Sequence, residues 1–572
     1  MTTEIKRNFF TYSLYKNNKL IKTKLKIQTK ILIIIFLVAL AALSIWRTNF
    51  AASTGGFNLF LESIKNIFKP FQTSTYLQEK NLWLLSLKFL WLSFKVTFLG
   101  TILGTILALF TAVIGNLKTN NKYQAYVIRF IILFFRSFPE LIYLYFFTTS
   151  LSGEISSVLL ISWFSWIWLH KFISEAIENI PTNIYGRLTK LGYSKTHILF
   201  RYIYPSIKNK IIIFSLYSFE SNLRWTSVFS TLGVVGIGQL LNYANESIYK
   251  MHELLIPLLV FVVFISLLEW FSYFTNNYLL IAKSTKITNE TFKKVDNVKK
   301  MKTFFSIFVF ILVVILTIVM LFSIRNIHFY PTAFTSIFND LLSPNWNIVT
   351  QNDNLVLIIL DLFLEIYITI LLAIVFTYIN LRFTNQKINN LFLMHIFRFI
   401  STFIRIIPTI VIFFTIGIIF KRPAAAFVFS FAIHSSTVIA KQLNESISKI
   451  DNKHINNLKR QQWSNGRIFR SFILPYTKNS SSTFLILEIE KNIRNFINYG
   501  LFGASNFGLA MVYSQRTSYK DITPYVWISV FLIIITNVYF NYLKNKKNNL
   551  QNTQNINFYK FMNFKKIFNF QH

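Results

Sequence analysis

Long apolar segments alternate with short basic ones along most of the chain, and this pattern predicts membrane-spanning helices. A helix needs about 20 mostly apolar residues to cross a hydrocarbon core roughly 30 Å thick. About twelve segments qualify, near 31–46, 96–116, 127–147, 155–172, 211–235, 253–280, 303–324, 355–380, 392–419, 423–440, 481–503 and 524–543. The sequence therefore predicts an all-α polytopic membrane protein.

The spans divide the chain into five regions. These are a basic N-terminus at 1–30, a first six-helix repeat at 31–282, a basic linker at 283–302, a second repeat at 303–543 and a basic tail at 544–572. Ala39-Leu40-Ala41 in the first span imitates a signal-peptidase site. We interpret this span as a retained helix, because a basic leader of about 30 residues is long for a signal peptide.

Composition and charge agree with a membrane location. Apolar residues make up 53% of the 572 residues and charged ones 14%, against roughly 45–50% and 25% in soluble domains. The formal charge of +37 suits topology signals, and the Lys- and Arg-rich loops at 173–210 and 441–480 are expected inside. Both termini are then cytoplasmic in a plasma membrane, and no nucleic-acid partner is expected. Lys421 and Arg422 fall outside on this count, against the rule.

Metal and thiol chemistry find no support in the sequence. The chain has no cysteine, and its eight histidines show no ligand spacing. We therefore expect no metal site and no cofactor bound by this chain.

The two halves repeat each other at nearly constant offsets. An offset of 270 residues relates Glu175 to Glu445, Ser194 to Ser464, Pro205 to Pro475, Glu220 to Glu490, Asn222 to Asn492, Arg224 to Arg494, Gly233 to Gly503 and Gly238 to Gly508. An offset of 269 relates Arg129, Arg136 and Pro139 to Arg398, Arg405 and Pro408. Six spans per half place the repeats in parallel, related by an axis along the membrane normal, with a path between them.

The loop from Pro181 to Pro205 is predicted to form two short helices with a bend between them. Pro181 suits a helix start, Gly192 suits a left-handed helix end and Ser194 can cap the next helix. The second repeat offers Asp451, Gln462, Ser464 and Pro475 at the matching places. A competing interpretation makes both loops solvated basic segments attracted to anionic headgroups.

At this point the chain resembles the permeases of binding-protein-dependent ABC importers. Their elbow consensus survives as Gly192 and Pro205 in the first repeat, and as Leu474-Pro475 in the second, where Gln462 replaces Gly. The phosphonate-type branch matches better, through the following stretches: Ser174-Glu175-Ala176-Ile177-Glu178, Phe219-Glu220-Ser221-Asn222-Leu223-Arg224, Leu232-Gly233-Val234-Val235-Gly236-Ile237-Gly238 and Arg136-Ser137-Phe138-Pro139-Glu140. The chain looks like two such permeases fused in one polypeptide, of a mollicute-like kind.

The resemblance implies a division of labour with other subunits. Each elbow would dock in one of two ATPase subunits, which would use ATP and Mg²⁺, while an extracellular substrate-binding lipoprotein would deliver the cargo. The implied coupling residues are Glu175, Gly192, Ser194, Pro205, Glu445, Gln462, Ser464 and Pro475. No P-loop occurs in this chain, so we expect it not to be an enzyme.

Ionisable residues inside predicted spans are costly and need protein or water around them. Glu220 and Arg224 are four residues apart, as are Glu490 and Arg494, so each pair shares a helix face. The pairs, with Asn222 and Asn492, either line the transport path or fix the packing of the fifth span. The glycines Gly233, Gly238, Gly503 and Gly508 suit close helix packing or a gate.

Three function classes remain open: an ABC importer permease, a twelve-helix secondary transporter and a membrane scaffold. The two elbows favour the permease. By the resemblance its cargo would be a small anion of phosphonate or phosphate type, with a thiamine phosphate or another organophosphate as the alternative.

Overall fold

Helices make up nearly all of the regular structure. The computed structural model describes residues 3–7, 10–16, 19–77, 80–117, 120–230, 234–276, 291–324, 327–350 and 354–539. The predicted tail at 544–572 and the residues 277–282 and 283–290 lie outside them.

Short strands precede the first helix. Strands β1 (Thr3–Arg7), β2 (Thr11–Lys16) and β3 (Lys19–Leu25) form an antiparallel sheet in the order β1-β2-β3. The sequence analysis read this segment only as a basic N-terminus, because its lysines dominate the pattern. A further small hairpin pairs β4 (Thr73–Ser74) with β5 (Lys80–Asn81).

The first repeat folds into eleven successive helices within its described residues. They are α1 (Ile27–Thr48), α2 (Gly56–Ile67), α3 (Leu82–Ile114), α4 (Lys122–Ser137), α5 (Glu140–Ser150), α6 (Gly153–Glu178), α7 (Thr182–Lys190), α8 (Lys195–Ile198), α9 (Tyr204–Phe229), α10 (Gly238–Asn245) and α11 (Leu255–Phe274). A π-helical turn, Leu199–Ile203, joins α8 to α9, and a 3-10 turn, Ile248–Glu253, precedes α11.

The second repeat follows the same order of long helices. Its described helices are α12 (Thr291–Ser323), α13 (Pro331–Leu342), α14 (Asn347–Thr350), α15 (Leu355–Thr384), α16 (Leu391–Ile406), α17 (Thr409–Gly417), α18 (Pro423–Ser448), α19 (Asn452–Arg460), α20 (Asn465–Ile468), α21 (Leu474–Asn498), α22 (Asn506–Thr517) and α23 (Tyr519–Tyr539). A π-helical turn, Phe469–Ile473, again joins α20 to α21, and a 3-10 turn, Tyr499–Phe502, follows α21.

Eight helices of the described chain are long and apolar enough to cross a membrane, and two bent pairs raise the number to ten. The eight are α1, α3, α6, α11, α15, α18, α23 and the Thr303–Ser323 part of α12. The predicted fifth spans, 211–235 and 481–503, fall on α9 and α21, which are helical but too polar to pass on composition. Glu220 and Asn222 of α9, and Glu490, Asn492 and Arg494 of α21, are nevertheless buried in protein.

The second span begins earlier than predicted, at Leu82 rather than near residue 96. Lys88 and Lys95 made this stretch look like a loop. Lys95 is buried in α3 and forms an ion pair with Glu154 at the start of α6. A partner of opposite charge therefore lets the helix carry a cation that the sequence pattern counts against a span.

The predicted third span of each repeat is broken at a proline. Helices α4 and α5 meet at 85° before Pro139, and α16 and α17 meet at 92° before Pro408. Proline lacks an amide hydrogen and pushes the preceding residue out of the helical region. Phe138 and Ile407 accordingly have extended ψ angles of 140° and 127°. Each third span is thus a bent pair instead of one straight helix.

The first helix of each repeat packs on the opposite repeat. Helix α1 lies against α15, where Arg47 makes two hydrogen bonds of 2.7 and 2.9 Å to Asp361. Helix α12 lies against α3, and Met320 is buried in the same apolar cluster as Val96 and Leu99. The two repeats are therefore interlocked, which the order of spans along the sequence does not reveal.

Two short backbone bridges, here called the clasps, repeat this exchange at the end of the bundle where α6 and α18 begin. In the first clasp, Leu151 after α5 pairs with Phe329 before α13. Two hydrogen bonds flank the pair, from Tyr330 N to Ser150 O at 2.9 Å and from Ser152 N to His328 O at 3.0 Å.

The second clasp has the same pattern with the repeats exchanged. Phe420 after α17 pairs with Ala52 before α2, with flanking hydrogen bonds from Ser53 N to Ile419 O at 2.8 Å and from Lys421 N to Ala51 O at 3.0 Å. Lys421, which violates the charge rule, thus lies beside a backbone bridge. The clasps attach the end of the second helix of each bent pair to the segment that follows the first helix of the other repeat.

The clasps predict two disulfides in a chain that has no cysteine of its own. Both pairs are of the non-hydrogen-bonded antiparallel type, whose Cα atoms lie about 4.5 Å apart, within the range for a disulfide. We expect L151C/F329C and A52C/F420C each to cross-link the two repeats on mild oxidation. A protease site inserted at 283–290 would separate the repeats on a reducing gel and leave them joined on a non-reducing one.

The mismatched pair L151C/F420C is the control, because its residues belong to different clasps. Equal cross-linking of the mismatched and matched pairs would contradict the clasps.

Candidate functional site: two elbows and two charge clusters

The first elbow, residues 182–205, turns the chain at the end of the bundle opposite the clasps. Gly192 ends α7 with a φ of +83°, in the left-handed region that favours glycine. The Ser194 hydroxyl then accepts a hydrogen bond of 3.2 Å from the His197 amide and caps α8. Pro205 lies at the start of α9, directly after the π-helical turn that interrupts the regular hydrogen-bond ladder. All these local predictions are confirmed.

The second elbow, residues 452–475, follows the same path with different residues. Asp451 caps α19 through the Lys453 amide at 3.0 Å, and Ser464 caps α20 through the Arg467 amide at 3.3 Å. Gln462 occupies the position of Gly192 with a φ of +59°. A residue with a Cβ is disfavoured there by about 1–2 kcal/mol. The fold therefore keeps the bend at an energetic cost.

Each elbow is attached to its own repeat through an apolar cluster. Ile198 and Ile203 are buried with residues of α3 and α6, and Ile468 and Ile473 are buried with residues of α15 and α18. Pro205 and Pro475 remain exposed. In the last turns before the elbows, Glu175 is half-buried and Glu445 is exposed. The elbows thus have one side fixed to the bundle and one side open.

The first charge cluster comprises Arg136, Glu140, Lys171, Glu490 and Arg494. Arg136, just before the proline bend, forms an ion pair with Glu490 of the other repeat. Arg494 donates to the same Glu490 oxygen at 3.1 Å, as its spacing on α21 predicts. Lys171 and Glu140 are close enough to act electrostatically on this pair. One carboxylate therefore joins arginines from both repeats.

The second charge cluster comprises Glu220, Arg224, Glu269, Arg405 and Lys441. Glu220 and Arg224 pair at 3.1 Å on α9. Arg405, the repeat partner of Arg136, donates a hydrogen bond of 2.9 Å to Glu269 and forms an ion-pair contact of 2.7 Å with its other carboxylate oxygen. Lys441, the repeat partner of Lys171, acts electrostatically on both carboxylates. The cluster again joins the two repeats.

The clusters differ in which carboxylate receives the crossing arginine. By the repeat, Arg405 should meet Glu220, as Arg136 meets Glu490. Glu269 of α11 lies next to Glu220 and takes Arg405 instead. In the first cluster the additional carboxylate is Glu140, which accepts a hydrogen bond from Asn498. The cations of the two clusters thus lie at equivalent positions of the repeats, whereas one carboxylate of each cluster does not.

Asn222 and Asn492 have the same place and opposite environments. Asn222 donates to Thr101 at 3.1 Å and to Ser165 at 2.7 Å. Asn492 is fully buried, and neither polar atom of its side chain has a hydrogen-bond partner among the described residues. Ser435, the repeat partner of Ser165, instead donates a hydrogen bond of 2.7 Å to Glu488. Asn222 is therefore an internal structural bridge, and Asn492 is an unsatisfied polar group.

Of the four predicted glycines, the described ones are close-packing or turn positions. A Cβ on Gly238 would lie 2.4 Å from Ser227 Cα, and one on Gly508 would lie 2.4 Å from Gly500 Cα. Gly503 has a φ of +81° and ends a helical turn. Gly233 lies outside the described residues. Close packing thus explains Gly238 and Gly508, and a left-handed turn explains Gly503.

Three of the residues that connect the repeats were not assigned to a site from the sequence. Arg136 and Arg405 were recognised as repeated positions, Arg136 also within a stretch that resembles phosphonate-type permeases, and Glu269 has no counterpart in the other repeat. The available signal was an arginine three residues before a proline in both repeats. Which acid each arginine meets depends on contacts between the repeats, which no local spacing reports.

A family model matches the sequence over more than half of the chain. The model for "Binding-protein-dependent transport system inner membrane component" matches residues 100–279 and again 387–545. The chain belongs to this family. It is an ABC transporter permease with two copies of the family's domain in one polypeptide, and both copies contain an elbow.

Relatives of this permease include two permease proteins of Mycoplasma species. It is 24% identical over 525 residues to "ABC transport system permease protein p69" of Mycoplasma genitalium, covering 90% of this chain and 94% of the relative. The protein of the same name from Mycoplasma pneumoniae is 24% identical over 434 residues, 74% of this chain and 79% of the relative. No solved structure matches the permease.

A shorter match links the permease to a protein of Escherichia coli, "Putative cryptic phosphonate transport system permease protein PhnE2". The two are 30% identical over 104 residues, which cover 18% of this chain and 84% of the relative.

The two asparagines should respond oppositely to the same substitution. Asn222→Leu leaves Thr101 and Ser165 without their donor and should lower the free energy of unfolding by about 1–3 kcal/mol. Asn492→Leu removes an unsatisfied amide of similar volume and should be neutral or stabilising. Thermal denaturation of the purified permease in one detergent measures both. Equal losses of stability would contradict the difference in environment.

Reversal of one ion pair tests the second charge cluster. Arg405→Glu and Glu269→Arg should each destabilise the permease by about 3–5 kcal/mol, because each leaves like charges buried together. The double variant R405E/E269R should recover most of that loss. The readout is the fraction of monodisperse protein after heating, and Lys122→Glu, at the exposed start of α4, is the control. Additive losses in the double variant would show that the pair does not interact.

Proposed function

We propose that this permease forms the translocation path of an importer for a small anionic solute of phosphonate or phosphate type. In this proposal both elbows and both termini are cytoplasmic, one ATPase subunit docks at each elbow, and an extracellular binding protein delivers the solute at the end with the clasps. The basic loops at the elbow end support this orientation.

The observation that carries the proposal is the continuity between each elbow and a charge cluster. The helix that starts at Lys195 runs through the π-helical turn into α9, which carries Glu220 and Arg224. The second repeat does the same through α20 and α21. About 15 helical residues, or roughly 23 Å, separate the end of each elbow from its cluster. A displacement of the elbow would therefore reach the charge clusters along one continuous helical segment.

The charge balance of the clusters supports an anionic cargo. The first cluster has three cations, Arg136, Lys171 and Arg494, against two carboxylates, and each cluster contains two arginines. Guanidinium groups bind phosphate and phosphonate oxygens in a bidentate manner. The name of the Escherichia coli relative gives a second, independent reason to test phosphonates first.

Reconstitution of the permease with its ATPase and binding protein tests the proposal. We expect ATP hydrolysis to be stimulated by the binding protein loaded with a phosphonate or phosphate, and the solute to accumulate in proteoliposomes. Deletion of residues 185–192 or 455–462 should return hydrolysis to the rate of the ATPase alone, because the elbow bend is lost. Deletion of residues 283–290, of equal length, is the control.

Two outcomes would overturn parts of this proposal. Uptake that persists after both elbow deletions would exclude coupling through the elbows. Stimulation by thiamine phosphates, with none by phosphonate or phosphate, would replace the cargo and keep the importer.

A further inference from the structure

The two elbows have the same backbone path and different exposed side chains. At the tip of the first elbow Leu191 is 72% exposed and Tyr193 is 47% exposed. The equivalent residues of the second elbow are Gln461, which is exposed, and Trp463, which is half-buried. One tip thus presents apolar surface, and the other presents an amide.

The same difference continues on the helix after each tip. Phe200 is 69% exposed, and its equivalent, offset by 270 residues, is the exposed Arg470. Large apolar side chains exposed together are typical of a surface that another protein covers. The first elbow therefore offers three exposed apolar side chains where the second offers an amide, a half-buried indole and a cation.

Both elbows keep a rigid aromatic contact at their bend. The rings of Tyr193 and His197 stack with centroids 5.1 Å apart. Arg467, the equivalent of His197, lies 4.4 Å over the ring of Trp463. This contact holds one aromatic side chain in place in each elbow, and it fixes a permanent positive charge at the tip of the second.

Charge indicates the chemistry of the partner. Residues 182–205 contain four Lys or Arg and residues 452–475 contain five, and neither segment contains Asp or Glu. A protein cleft with carboxylates at its rim complements both segments. A lipid headgroup layer would also attract the cations, but it needs neither a capped bend nor a fixed aromatic contact. The observations favour a protein.

We infer that the two elbows hold their ATPase subunits by different forces: the first by burying Leu191, Tyr193 and Phe200 in an apolar cleft, the second by attraction between Arg467 and Arg470 and carboxylates of the cleft. This inference rests on the proposed docking of ATPase subunits at the elbows. Salt screens exposed charges, with a Debye length of about 10 Å at 0.1 M and about 3 Å at 1 M. Apolar contacts are not weakened in this way. The second contact should therefore be lost first as salt rises.

The test counts ATPase copies on the intact complex. The permease is isolated from its own cells through a tag, the co-purifying ATPase is identified by its P-loop sequence, and the mass of the complex is measured at low and high salt. We expect about two ATPase copies per permease near 0.1 M salt and about one near 1 M.

Exchange of the exposed residues between the elbows makes the test specific. L191Q/F200R should leave no ATPase bound at high salt, and Q461L/R470F should keep both copies there. Because all four residues are exposed, the variants should fold as the wild type does. Lys449→Leu, which removes an exposed cation of the same loop outside the elbow, is the control and should behave like the wild type.

The outcomes separate this inference from the proposed function. Absence of any ATPase on the wild-type permease at every salt concentration would overturn docking itself. Two copies retained or lost together, in the wild type and in both exchange variants, would overturn only the difference between the elbows. If the variants change the amount of bound anionic lipid and leave the ATPase count unchanged, the exposed faces bind the membrane instead.

Discussion

The helix breaks at Pro139 and Pro408 are the constraint on which the rest of the structure depends. A proline in an apolar helix removes one amide donor and excludes the residue before it from the helical region. Each break turns the chain by about a right angle, 85° in the first repeat and 92° in the second. The turn directs α5 and α17 toward the opposite repeat, so that their ends reach the clasps. Arg136 and Arg405 lie on the last turn before each break. Each of them forms an ion pair there with a glutamate of the other repeat.

Burial in a membrane makes these arginines decisive. A guanidinium deep in a bilayer protein needs an anionic partner, because the cost of leaving it unpaired is several kcal/mol. Arg136 finds Glu490 across the interface, and Arg405 finds Glu269. The ion pairs therefore specify how the two repeats meet, in addition to the apolar surface that they share. Apolar contact alone is less specific inside a lipid environment, where lipid is as apolar as the protein interior.

The contacts divide the permease differently from the two repeats of the sequence. Helix α1 is tied to the second repeat by the Arg47 and Asp361 pair and by one clasp, and α12 is packed on the first repeat. At the other end, each elbow is fixed to its own repeat by a buried apolar cluster. A force applied at an elbow would thus act on α9 or α21 and on the charge cluster that this helix carries. The first helix of the same repeat would be held in place by the other repeat.

The sequence by itself determined the elements and much of their local chemistry. Hydropathy located helices at the predicted spans, because a membrane helix must be mostly apolar. The caps at Ser194 and Ser464, the left-handed turn at Gly192 and the pairing of Glu220 with Arg224 also followed from spacing, because they involve residues within four positions of one another. Local rules failed where charge was neutralised at a distance, as at Lys95, and where a short basic stretch concealed the strands β1 to β3.

Only the tertiary structure decided which residues the two repeats exchange. The repeat offset predicted that Arg405 should act as Arg136 does, but Glu269 receives it because α11 brings a second carboxylate beside Glu220. The same offset made Asn222 and Asn492 look equivalent, although one is hydrogen-bonded and the other is not. Contacts between distant segments depend on the three-dimensional packing of all helices at once. A spacing along one chain determines what a residue can do within its own helix, and the neighbouring helix determines which partner it has.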